Sequence, residues 1–550
     1  MRWTRRRCRP TTPGLRGPST RGLCGPSIPR GPRPTTLAVV ASSSVIVLLA
    51  AACGAGPSDR PGIAEARPHA GGAAPTSATG QAAPPAAEMP KADLGWHDCA
   101  GATFGQLGLG TPPAGLIFEC ATYSTPIDVG GTVLGTFQNS AVRARLPQTP
   151  ANAAPVVLTS GDDRSSTSAL AGLAAGPAAA VLAAHPIVAV DRRGLGSSQP
   201  INCMPVDTRR GLADGGQNTG GNPVDVMAKL SQDATIACSD FLQPYQNTFD
   251  AGHAADDIDQ LRKQWQVDHI AIIGTGDGTR VALAYAARYG EHLARLVLDS
   301  PIAAKADSLT RTEQRVKGSE AALTAFAQQC AAAGCSLGAD PRGAIVALVN
   351  RAASGQLGDV STGGLLTAVA GFLGEPRADQ SSHITELADA LSAAGRGDNG
   401  ALDQLVLREQ TALGSDGQFV SSCSDNQQPA TPDRAKQLES TWGNQYPVFG
   451  KVAAAELMAC TAWPAPDPQQ LPTTLPLRVL VLGNDANPIV GADARPSVTG
   501  ALGTAGANTS TVTWQGWGYP VFTHSSCIQQ NLVTYLKDAT LPADATVCPA

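Results

Sequence analysis

Acidic residues are absent from the first 52 positions of this 550-residue chain, a stretch that carries nine arginines. Taking those nine from the 40 Lys and Arg leaves 31 against 45 Asp and Glu, so the remainder carries about −14. A body of that sign excludes nucleic acid as a partner, because phosphate recognition needs cations. Charged residues overall are scarce at 15%, and aromatics at 4%. The 43% hydrophobic content is nevertheless enough for a core, either of one large domain with an insertion or of two or three ordinary domains. There is no CxxC repeat and no His–Glu cluster, so neither a metal nor any other cofactor is expected.

The basic leader runs into a short apolar stretch, Leu37–Ala52, ending at Cys53. A cationic start, a brief apolar core and small residues predict a signal peptide over 1–52, too short for a comfortable membrane span. Leu49-Ala50-Ala51-Ala52-Cys53 is similar to a bacterial lipobox, in which the cysteine becomes a lipidated N-terminus. The expectation is an exported protein held at the outer face of the cytoplasmic membrane through Cys53, with plain secretion as the alternative. Residues 53–92 are rich in Ala, Pro and Gly and predict a disordered tether. As a flexible coil it would span on the order of 35 Å.

Beyond Cys53 there are ten cysteines, an even number that in an exported chain predicts five disulfides. In sequential order they pair Cys99 with Cys120, Cys203 with Cys238, Cys330 with Cys335, Cys423 with Cys460 and Cys527 with Cys548. Sequence alone leaves that connectivity open.

The stretch His269 to Pro301 organises the rest. A buried run at Ile270–Ile273 breaks at Gly274-Thr275-Gly276-Asp277-Gly278, and Val281, Ala284 and Tyr285 then recur at helical spacing. Gly290 follows as a left-handed helix end, and Leu296–Leu298 form the next strand. Strand, tight turn, helix and strand make a parallel βαβ unit. Upstream, Glu119–Pro126 and Thr132–Leu146 read as an antiparallel meander. Pro155–Ser160 and Pro186–Val190 read as buried strands around a helix over 169–183.

From Ala303 to about Pro464 the period is helical, with Val316, Leu323, Phe326 and Cys330 on one face. Strands resume at Leu477–Leu482 and Ser510–Gln515, and a helix over 525–537 closes the chain. The organisation expected is an α/β core over 93–302 and 466–550, interrupted by a helical lid over 303–465.

These motifs, with Asp191-Arg192-Arg193-Gly194, Cys460…Trp463 and Gly516-Trp517-Gly518 through Cys527, occur in the order found in one family. From Trp96 to Cys548 the chain resembles the secreted tripeptidyl aminopeptidase-like branch of the α/β hydrolases. Those are bacterial exported serine peptidases that remove short N-terminal peptides, and several are lipoproteins. The resemblance implies an α/β-hydrolase fold, a mostly parallel sheet flanked by helices with an inserted helical lid.

It also implies a catalytic set that this sequence lacks. The family's nucleophilic serine aligns with Gly276, which has no hydroxyl to attack a carbonyl. The family's base histidine aligns with Tyr519, whose phenol is a poor proton acceptor at neutral pH. The acid falls nearest Asp485, with Asn484 as the other candidate. The oxyanion loop reads Gly161-Asp162-Asp163, where two carboxylates would oppose a developing negative charge.

Other readings of single residues are plainer. His524 is expected as a surface-loop histidine, and Asp162, Asp163 and Arg164 as a solvated turn. Asp277 lies one residue beyond the elbow's apex and so is a poor nucleophile, although it lines the cleft. Thr275, Thr279, Trp463 and Trp517 are expected to be structural. Three functions compete. The chain is a pseudohydrolase binding a peptide, lipid or envelope-protein ligand; or a working peptidase or esterase with a rearranged site around His524 and Asp485; or a structural envelope protein.

Overall fold

The computed structural model describes residues 84–550 apart from 162, 177–178, 218–219, 376–379, 414 and 465–466. The expected signal peptide, Cys53, most of the tether and Asp162 lie outside the described residues.

Short runs rich in Val, Ile and Leu fold as expected into buried parallel strands. Val156–Thr159 (β4), Ile187–Val190 (β5), Ile270–Thr275 (β6) and Leu293–Asp299 (β7) are buried along their whole lengths. Arg478–Ala486 (β8) and Asn508–Trp517 (β9) complete the parallel set. Ile117–Pro126 (β2) and Thr136–Arg145 (β3) form the predicted antiparallel meander. Two short strands, His97–Asp98 (β1) and Thr546–Cys548 (β10), add the edges. The order across the ten-stranded sheet is β1-β2-β3-β5-β4-β6-β7-β8-β9-β10, and every pairing from β5 to β10 is parallel.

Alternation along the strands sends side chains to two cores. Leu158, Ile273, Val297 and Leu480 face one layer of helices, while Val157, Ile272, Leu296 and Val481 face the other. Full burial of each such side chain is worth about 1.5–3 kcal/mol, so neither face tolerates a register slip. This is the α/β-hydrolase arrangement that the family resemblance implied.

Between β7 and β8 the regular elements among the described residues are all helices. Its first helix, Ser308–Ala333, buries Val316, Leu323, Phe326 and Cys330 as the period required. Helix Pro223–Leu242, which precedes residue 303, joins this layer. Its Val224 and Met227 pack among the lid residues, so the lid is built from two separate parts of the chain. The disulfides follow sequential order: Cys99–Cys120, Cys203–Cys238, Cys330–Cys335, Cys423–Cys460 and Cys527–Cys548.

Two expectations are corrected. Gly290 is right-handed (φ −58°), because the chain continues into a single 3₁₀ turn, Gly290–His292, instead of ending in a left-handed cap. The last part of the predicted tether is docked. The amides of Glu88 and Lys91 donate to the carbonyls of His269 and Trp265, and Arg295 donates to the Pro85 carbonyl. Unpaired main-chain groups at the base of the sheet thus capture a segment whose own side chains carry little apolar signal.

Candidate active site

The elbow between β6 and the helix Gly278–Tyr289 has the geometry that its glycines allow. Gly276 is left-handed (φ +55°), a conformation glycine adopts at little cost. Its amide donates to the Asp299 carbonyl at 3.0 Å, and its own carbonyl accepts from the Thr279 amide at 3.1 Å and hydroxyl at 2.7 Å. Gly161 on the facing loop packs so closely that a Cβ there would overlap Asp277. Thr275 pairs its hydroxyl with Ser160 at 2.9 Å. Thr275 and Thr279 therefore have structural roles.

The position of a nucleophile's side chain is already filled. A Cβ built on Gly276 would overlap the Tyr519 hydroxyl, and would stand 2.9 Å from Val490 Cγ1 and 3.0 Å from Asp163 Oδ2. Tyr519 is almost wholly buried and its phenol donates a short hydrogen bond to Asp163. Burial first, and the Asp163 carboxylate second, push the phenol well above its ordinary range, so it stays protonated as the donor of that bond. Residues 276, 519 and 163 come together as the family alignment implied, but as a closed contact. Asp163 is thus no solvated turn residue. Arg164 beside it is also largely buried, paired with Glu409 from the lid at 3.0 Å.

The acid position differs from expectation. Asp485 points outward, with a side chain 76% exposed and paired to Arg495 at 2.5 Å. The register of the loop decides this: Asn484 and Asn487 are the buried members. Asn484 Nδ2 donates to the carbonyls of Gly516 (3.2 Å) and Gly518 (3.1 Å), fixing the turn that carries Tyr519. Asn487 Oδ1 accepts from the amides of Ile489 and Val490, both at 3.1 Å. An amide in either place cannot stabilise an imidazolium as a carboxylate does.

His524 is not a surface histidine. It stacks on Trp514 (ring centroids 5.1 Å, 18° between planes), and its Nε2 lies 3.3 Å from the Gly374 carbonyl. Burial brings its pKa down to about 4. Gly518 (φ +143°) passes over this ring, where any side chain would collide. Trp517 packs in the lid core, and Trp463 meets Phe419 edge to face at 5.7 Å.

A carboxylate that sequence reasoning gave no role underlies the site. Asp299, at the end of β7, accepts from the amides of Val521 (3.0 Å) and Phe522 (2.8 Å) and from the Ser300 hydroxyl (2.7 Å). Burial pushes its pKa up to about 6 against the pull of those donors. With the bond from the Gly276 amide to its carbonyl, Asp299 ties the elbow to the Tyr519 turn. Its place directly after a predicted strand was the available signal.

Above the elbow lies a cavity of about 790 Å³ between core and lid. Asp163, Asp277, Ile302 and Val490 wall it on the core side, and Val316, Leu366, Phe449 and Val452 on the lid side. Gly276 and Tyr519 are not among its lining residues. Asp277 reaches Arg311 of the lid at 3.4 Å and Arg280 at 3.8 Å, facing away from the apex. Among the described residues no group of His, Cys, Asp or Glu is arranged to hold a metal ion.

Comparison with known proteins agrees with this geometry. The α/β hydrolase fold family matches residues 172–340, and the TAP-like protein family matches residues 446–548. The chain is a TAP-like α/β-hydrolase-fold protein.

The TAP-like chain is 27% identical over 326 residues to the protein named serine protease Hip1 in Mycobacterium tuberculosis and in Mycobacterium bovis. That alignment takes in 54% of this chain and 61% of the relative, so the chain spans about three-fifths of the relatives' length. Among solved structures, an esterase from Thermogutta terrifontis superposes with a TM-score of 0.34 at 14% identity, covering 76% of this chain and 98% of that one. An esterase from a Rhodococcus species gives 0.33 at 16%, covering 76% and 99%. The fold rests on the sheet order and the family matches.

Proposed function

We propose that this TAP-like chain is a pseudohydrolase, a protein that uses the cleft under its lid to bind a ligand and performs no acyl transfer. One observation carries the reading: the space a nucleophile would need is occupied by the Tyr519–Asp163 pair, and neither Gly276 nor Tyr519 lines the cavity. Acyl transfer needs a nucleophile, a base to take its proton and donors for the oxyanion. Gly276 supplies no nucleophile. Tyr519 is a proton donor already committed to Asp163, and Asp163 adds negative charge beside the former oxyanion site. His524 does not restore the set, because its ring is engaged by Trp514 and Gly374. Peptidase or esterase chemistry in relatives therefore carries over only as the shape of the cleft.

The test is turnover of a nitrophenyl ester and a tripeptide anilide by the purified protein. The expected rate equals the background and is the same in His524→Ala. Turnover that His524→Ala abolishes would establish a rearranged catalytic site.

We further propose that the protein is exported and anchored by lipid at Cys53. The supports are the arginine-rich leader, the short apolar run ending at Cys53 and the five disulfides, which suit an oxidising compartment. Metabolic labelling with a fatty acid that persists in Cys53→Ala would rule the anchor out.

A further inference from the structure

The guanidinium groups around the cavity are unequally employed. Arg164 meets Glu409 at 3.0 Å, Arg209 meets Asp416 at 2.5 Å and Arg315 meets Glu456 at 2.5 Å. Arg311, on the lid helix Ser308–Ala333, is held loosely instead. Its Nη1 lies 3.4 Å from Asp277 Oδ1 and its Nη2 lies 3.3 Å from Asn426 Oδ1, both beyond the usual N–H···O range. Its Nε is buried and has no acceptor among the described residues. Two long contacts and one donor without an acceptor leave this guanidinium less firmly held than those of Arg164, Arg209 and Arg315. Arg311 also lines the cavity.

We propose that the cavity binds an apolar molecule bearing a single carboxylate, and that Arg311 is the anchor for that carboxylate. This inference rests on the reading that the cleft binds without cleaving. The terminal edge of a guanidinium, here Nη1 and Nη2 with their two long contacts, presents two parallel donors that match the two oxygens of a carboxylate. Asp277 can release Arg311 without being stranded, because Arg280 lies on its other side. Asp163, Asp214 and Asp277 on the same walls would repel a second negative charge, which favours a monoanion over a phosphate. The apolar body is matched by Val316, Leu366, Phe449, Val452, Ile489 and Val490. The volume of about 790 Å³ sits in the upper part of the range for small-molecule sites, ~300–1,000 Å³.

The experiment is calorimetric titration of the full mature chain with dodecanoate below its micelle threshold, beside dodecan-1-ol, dodecylamine and dodecyl phosphate. Dodecanoate is expected to bind one to one, with each of the others weaker by on the order of tenfold or more. Arg311→Gln should weaken dodecanoate by a similar factor and leave dodecan-1-ol unchanged. Arg311→Lys, which keeps the charge and loses the fork, should fall between. Failure of dodecanoate to bind, equal binding of the alcohol, preference for the amine or the phosphate, or unchanged affinity in both variants would each overturn the anchor. Cleavage of nitrophenyl dodecanoate would instead overturn the non-catalytic reading and leave the ranking of ligands to stand or fall by itself.

Discussion

The interior of the sheet and the crest at the carboxyl ends of its strands have been treated differently by this sequence. Inside, every feature of a hydrolase is present: parallel strands buried along their length, a left-handed Gly276, and an elbow helix packed on both neighbours. At the crest, the loops around the elbow meet in a closed contact. Tyr519 crosses to Asp163 over the elbow, Asn484 and Asn487 hold the adjoining loops, and Asp485 faces solvent. The scaffold depends on apolar period and glycine placement, which are independent of the side chains at the crest. A site depends on single oxygens and nitrogens, and changing them leaves the scaffold standing.

Breaking the scaffold should therefore cost more than altering the crest. Removing the Cys527–Cys548 bridge, which ties the closing helix Ser526–Asp538 to β10, with paired serines is expected to destabilise the protein most, by roughly 2–5 kcal/mol in urea unfolding. Gly276→Ser follows. It combines a left-handed non-glycine residue with overlap against Tyr519, at roughly 2–4 kcal/mol, and it should produce no activity.

His524 provides a pH test of the same contrast. Its folded pKa of about 4 lies below the unfolded value, so the unfolded chain binds more protons between the two. Its contribution is present above pH 6.5 and is lost as pH falls towards 4, by up to about 3 kcal/mol. Asp299, raised to about 6, acts in the opposite direction over part of that window, so wild type must be compared with His524→Gln. The variant should lose the His524 contribution to the pH slope.

Tyr519→Phe should cost about 1–3 kcal/mol by removing the hydrogen bond from the phenol to Asp163. It should also soften the fall in stability above pH 10, where the wild-type phenol resists the ionisation that unfolding permits. Asp485→Asn is the smallest change, within about 0.5 kcal/mol, as suits an exposed ion pair. A larger effect there would return Asp485 to the site.

Much of this architecture was legible before the structure. The strands β4 to β9, the elbow helix and the lid helices follow from apolar period, and the lack of a hydroxyl at the elbow's apex follows from one glycine. The site's contacts were less legible, because they join loops hundreds of residues apart. No local pattern sets Tyr519 against Asp163, or His524 against Trp514 instead of solvent. The choice among Asn484, Asp485 and Asn487 turned on a one-residue register that only the packed loop decides. The helix Pro223–Leu242 lies far upstream of the lid in sequence, and its membership in the lid is a tertiary fact.

The central claim is that no side chain here can take an acyl group, because the place for one is filled. Intact mass spectrometry after exposure to a fluorophosphonate probe tests this most directly. The account predicts an unshifted mass for the native protein. One stoichiometric adduct, mapped by peptide sequencing to a residue of the cleft, would contradict it.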